Sequence, residues 1–112
     1  MGVLHYNTRD FVMDDRLLAH LQVVIALKLR RSENFFLAWV NRPDAGSERY
    51  VIWIDNGIPI FCEYESAEIP AINRDWIDRL AASAATNYGL QVTPEGDIEP
   101  FPAVRETAAS GT

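Results

Sequence analysis

The stretch VIWIDNGIPIFCEY, Val51 to Tyr64, sets two apolar runs on either side of Asp55-Asn56-Gly57-Ile58. Asn-Gly suits the two positive-φ positions of a type I′ turn, so the stretch reads as a tight antiparallel hairpin. With that turn Trp53 faces Ile60 and Val51 faces Cys62 on one side of the sheet. Ile52 pairs with Phe61 on the other. Both faces are then apolar near the turn, and a sheet with two apolar faces needs cover on each. On this reading Trp53 belongs to the core.

Upstream, Phe35 to Val40 carries aromatic and aliphatic residues on both faces and reads as a central strand. The polar loop NRPDAGSE, Asn41 to Glu48, separates it from a strand over Tyr50–Ile54. Before it runs the strongest helix signal of the chain, Arg16 to about Arg31. Leu17, Leu18, Leu21, Val24, Ile25 and Leu29 fall on one broad stripe at 3.6-residue spacing. Asp14 and Asp15 supply the N-cap and an acidic first turn. Leu21 lies centrally on the core stripe. At the N-terminus, VLHY and DFVM flank Asn7-Thr8 as a small hairpin.

Downstream, Asn73 is a good N-cap for a second helix to about Tyr88, with Trp76, Ile77, Leu80 and Ala84 on its stripe. Gly89 stops that helix, and Leu90–Val92 returns to the sheet. After Thr93 the composition turns to Pro, Glu, Ala, Ser and Gly, which predicts a mobile, disordered tail over 96–112 beyond a single domain of residues 1–95. The order ββαβββαβ predicts an α+β fold, a mainly antiparallel sheet with two helices on one face.

The 112 residues suit one domain, and 48% hydrophobic with 23% charged residues is the balance of an ordinary globular protein. The net charge of −6 repels phosphate and disfavours a nucleic-acid coat. The charge is uneven: +1 over residues 1–40 and −7 over the rest. Lys28, Arg30 and Arg31 stand just before Phe35, Phe36 and Trp39, a mixture that can mark a nucleic-acid surface. The same cations in the last turn of a helix complement its exposed carbonyls. The lone Cys62 allows no internal disulfide. No leader pattern and no membrane-length apolar run is present, so a cytoplasmic protein with no membrane partner is the expectation.

No chemistry-bearing constellation emerges. His5, His20 and Cys62 lack metal-ligand spacing, and the six glycines form no phosphate loop. His20, at the edge of the helical stripe, reads as a hydrogen-bonded structural residue. Cys62 reads as a small packed hydrophobe rather than a nucleophile paired with His20. Glu63 and Glu65 share a strand face and read as a solvated edge. Val23 and Leu27 are different. They lie opposite the core stripe among Arg16, His20, Arg30 and Arg31, and two aliphatics on a polar face want cover.

MGVLHY at the start, DDRLLAHLQVVIALKLRRSENFFLAW from Asp14 to Trp39, VIWIDNGIPIFCEY, and INRDWIDRLAASA from Ile72 to Ala84 together resemble a family of small actinobacterial proteins of unknown function. The similarity runs over residues 1 to about 95, and HLQVVIALKLRRSENFFLAW is its most specific part. The high ratio of Arg to Lys suits such an origin. Members of that family are sometimes labelled ATP-dependent DNA ligase. Such a ligase needs a lysine nucleophile, usually in KxDG. The single lysine here, Lys28, is followed by Leu29-Arg30-Arg31 inside a helix, and 112 residues cannot house a nucleotidyltransferase domain with an OB-fold.

The sequence therefore predicts a non-enzymatic binding module without a cofactor. Its expected partner is a second copy of itself, as a homodimer, or another protein. The candidate surface is Arg16, His20, Val23, Leu27, Lys28, Arg30 and Arg31. The alternative is a nucleic-acid-associated accessory protein using the Arg-rich end of the first helix.

Overall fold

The computed structural model describes residues 1–41, 48–96 and 101–107. The chain opens with β1 (Gly2–Tyr6) and β2 (Arg9–Met13), joined by Asn7-Thr8 with Asn7 at φ 57°. Asparagine tolerates that left-handed conformation, which lets Tyr6 and Arg9 pair directly across the turn.

Helix α1 (Asp15–Arg30) starts where Asp14, in extended backbone, accepts the Arg16 amide at 3.0 Å. Its end explains the basic cluster. Ser32 takes φ 58°, its N–H bonds Leu29 O at 3.0 Å, and the Glu33 N–H reaches back to Lys28 O at 3.1 Å. That is a Schellman cap with serine in the place glycine usually takes. Lys28 and Arg30 sit in the last turn, beside the exposed carbonyl end.

The next strands are β3 (Phe35–Asn41), β4 (Glu48–Ile54) and β5 (Ile60–Glu63). Helix α2 (Arg74–Ala84) follows, with Asn73 Oδ1 accepting the Trp76 amide at 3.2 Å. It ends four residues before Tyr88. Then come β6 (Leu90–Gln91) and β7 (Arg105–Glu106). The α+β class and the order through β6 are as the sequence predicts.

The strands divide into two sheets, β5-β1-β2-β7 and β4-β3-β6. All pairings are antiparallel except β3 with β6. The expected β4–β5 hairpin is therefore wrong. β4 pairs with β3, while β5 crosses to β1, setting Leu4 against Cys62 and Tyr6 against Ile60. The physical reason lies in the turn. Ile58 N–H closes on Asp55 O at 3.2 Å and Asp55 Oδ1 accepts Gly57 N–H at 2.8 Å. Neither Asn56 nor Gly57 has the positive φ that type I′ demands. Asn34 Oδ1 also holds the Asn56 amide at 2.8 Å. The turn steers the chain from one sheet to the other.

The crossing moves Trp53 out of the core. It stands on the outer face of its sheet, 46% exposed, and Ile54 is the buried neighbour. One core joins the inner faces of both sheets to the stripes of both helices, with Leu21, Leu80 and Leu90 fully enclosed.

Part of the stretch expected as a tail belongs to this core. Val104 is 2% exposed, and its backbone exchanges hydrogen bonds with the Asn41 amide at 2.8 and 3.4 Å. β7 pairs with β2, and Arg9 grips Glu106 with two bonds of 2.6 and 2.9 Å. The expected mobility of residues 97–100 and 108–112 lies outside the described residues.

Candidate interaction surface

The seven residues marked by the sequence separate into two groups. Arg16, His20 and Lys28 are engaged internally. Arg16 donates from Nε and Nη2 to the two oxygens of Glu95 at 2.7 and 2.6 Å, and from Nη1 to Ala71 O at 2.8 Å. Asn73 Nδ2 adds a bond of 2.9 Å to Glu95. Hydrogen bonds from Arg16 first and Asn73 second hold the Glu95 carboxyl down at about 2.

His20 is completely buried against the Trp76 ring, at 4.5 Å between centroids. Its Nε2 accepts the Asn73 N–H at 2.9 Å, which leaves Nδ1 to donate to Arg16 O at 2.7 Å. Both ring nitrogens are used, so His20 has no lone pair to serve Cys62 as a base. The Cys62 thiol itself is pushed up by burial. Lys28 makes a charge contact with Glu33 at 3.1 Å, without the alignment of a hydrogen bond.

Val23, Leu27, Arg30 and Arg31 form the second group. Val23 is half-buried in a groove of about 700 Å³ between α1 and residues 64–72. Ala19, Val23, Pro70 and Ile72 give it an apolar lining, and Glu65 and Glu68 give it an acidic rim. Tyr64 spans to Gln22 Oε1 at 2.5 Å. Burial pushes the Tyr64 hydroxyl up to about 12, so it stays a neutral donor. Ile69 beside the groove is 90% exposed and Leu27 38%. Arg30 and Arg31 are exposed and make no ion pair among the described residues.

The carboxylates read as a solvated edge have specific partners. Glu63 Oε1 meets His5 Nε2 at 2.9 Å, and Asp10 Oδ1 meets His5 Nδ1 at 2.7 Å. Bonds to Glu63 first and Asp10 second raise the His5 pKa. Glu65 pairs with the N-terminal ammonium. Among the described residues no group of three metal-ligating side chains gathers.

A second surface lies on the sheet of β3 and β4: its apolar outer face was expected from the two-sided strands, but its open edge depends on which sheet β5 joins. Val92 N–H donates to Ala38 O at 2.9 Å, so the polar backbone groups of Ala38 point to β6. Direction alternates along a strand. Phe35, Leu37 and Trp39 therefore turn theirs to β4, where they face Ile54, Ile52 and Tyr50. In β4 the backbone groups of Arg49, Val51 and Trp53 then point away from the sheet, along its open edge. One side chain closes the far end of that edge. Tyr6 donates its hydroxyl to Trp53 O at 3.1 Å and accepts the Asp55 N–H at 2.7 Å. Beside this edge the outer face shows Trp53, Val51 (41% exposed) and Phe36 (40%), with Phe36 edge-on to Trp53 at 4.8 Å.

Two sheets thus enclose one core, with Phe36, Val51 and Trp53 left exposed outside it. The chain matches the family described as Domain of unknown function (DUF7882) over residues 1–95, and it belongs to that family. No curated protein and no solved structure matches it. Among the described residues no helix is long and apolar enough to cross a membrane.

Proposed function

We propose that the protein is a non-enzymatic interaction module that associates with a second copy of itself. One observation carries this reading: Phe36, Val51 and Trp53 stand together on the outer face of β3 and β4, each at least 40% exposed. Aromatic side chains in a contiguous exposed patch are the usual anchors of protein interfaces. Light scattering at tens of micromolar should report a mass near twice 12.7 kDa. A monomer at every concentration contradicts the reading.

Arg30 and Arg31, exposed and without an ion pair among the described residues, favour a nucleic-acid role as the second reading. It is weakened because Arg16 and Lys28, the other two cations of the cluster, are occupied by Glu95 and Glu33. A duplex-DNA titration at low and physiological salt separates the two. Binding that weakens with a log–log salt slope of about 0.9 per phosphate contact supports the second reading. No binding at either salt removes it.

A further inference from the structure

The outward row on β4 supplies a specific geometry for self-association. Edge strands with unpaired amides and carbonyls are templates for strand addition, and proteins usually blunt them with proline, lysine or a covering loop. The described part of this edge, Glu48 to Ile54, has no proline or lysine, and Glu48 through Val51 are all exposed. Arg49 and Val51 are the positions whose N–H and C=O both point outward without a partner among the described residues. Trp53 would be the third, but Tyr6 occupies its carbonyl.

We propose that β4 of two copies pair antiparallel about a two-fold axis at Tyr50, making one continuous six-stranded sheet. This rests on the self-association reading above and names its contact. With Tyr50 on the axis, Arg49 faces the second copy's Val51, and Val51 faces the second copy's Arg49. Each pair exchanges two backbone hydrogen bonds, so four bonds use every group the open window offers. A longer foreign strand continuing along the edge would run into Tyr6 at Trp53. A two-fold contact stops before it. The symmetry also suits the side chains. Arg49 lies diagonal to the second copy's Trp53, at the roughly 7–8 Å spacing from which a long cation can reach an aromatic face. Val51 and Trp53 of both copies merge into one apolar band on the outer face. The window carries one Glu and one Arg, Glu48 and Arg49, so two copies meet there without net charge despite −6 on each chain.

The test uses Val51→Pro. The amide removed points away from β3, so the β3–β4 ladder keeps all its bonds. The variant should retain the wild-type circular dichroism spectrum and dissociate at least tenfold more readily in sedimentation velocity. Val51→Lys, which puts a charge on the edge without touching the backbone, should do the same and decides the matter if the proline variant is unfolded. The double variant Val23→Asp with Leu27→Asp, on the α1 face, should remain dimeric. If the edge variants are folded and still dimeric, the edge is not the contact and the proposal falls while self-association stands. If the wild type is itself monomeric, both fall.

Discussion

The Arg16–Glu95 pair makes a prediction whose size follows from its geometry. Glu95 accepts three hydrogen bonds, two from Arg16 and one from Asn73, and its carboxyl is held at about 2 against an ordinary 4.5. At about 1.36 kcal/mol per pH unit, that gap corresponds to at most about 3.4 kcal/mol. The Arg16 side chain is 38% exposed and that of Glu95 26%, so solvent screens the pair, and about 1–2 kcal/mol is the expected remainder. A depressed carboxylate stabilises above its unfolded pKa, and the contribution is lost as pH falls through the folded one. Glu95→Gln should therefore cost about 1–2 kcal/mol at pH 6.5, and its difference from wild type should shrink as pH drops from about 4.5 towards 2. Urea unfolding of both proteins across that range measures it. A difference that stays constant with pH would show that the carboxylate's charge is not what stabilises the clamp.

Leu21 is fully enclosed, so Leu21→Ala should cost roughly 2–5 kcal/mol, whereas Trp53→Ala on the outer face should cost much less in the dilute monomer; paired thermal melts check both. Gly89 has φ +83°, and a Cβ there would come within 2.4 Å of Phe36 O, so Gly89→Ala should destabilise by at least ~1 kcal/mol, read by chemical denaturation. The raised pKa of His5 stabilises the fold below its unfolded value of 6.5, and that gain is lost as pH rises through the folded one. Wild type should thus lose stability relative to His5→Gln as pH rises above about 6.5, and parallel stability curves would refute the triad with Asp10 and Glu63.

Elements with a local signal were legible in the sequence. The α1 stripe, Asp14 and Asn73 as caps, and the Asn7-Thr8 hairpin each depend on residues within one turn of each other. Non-local choices were not. Asn56-Gly57 permits a hairpin, but the turn closed by the Asp55 side chain, with Asn34 holding the Asn56 amide from 22 residues away, sends β5 to β1 instead. The exposure of Trp53 followed from that choice. β7 has only two residues and sits in Pro- and Glu-rich sequence, so its pairing with β2 leaves no periodicity to read. The position of Val23 and Leu27 off the core stripe of α1 was legible because helical spacing fixes their face. The internal bonds of Arg16 and His20 were not legible, because their partners, Glu95 and Asn73, lie 79 and 53 residues away.

Amide hydrogen exchange at Val51, followed by NMR as a function of protein concentration, tests the edge pairing most directly. Ile52, whose backbone groups face β3, should be protected at every concentration. The Val51 and Arg49 amides should exchange freely in the dilute monomer and become protected in step with the rise in mass. A Val51 amide that still exchanges freely where light scattering reports a dimer would contradict the account.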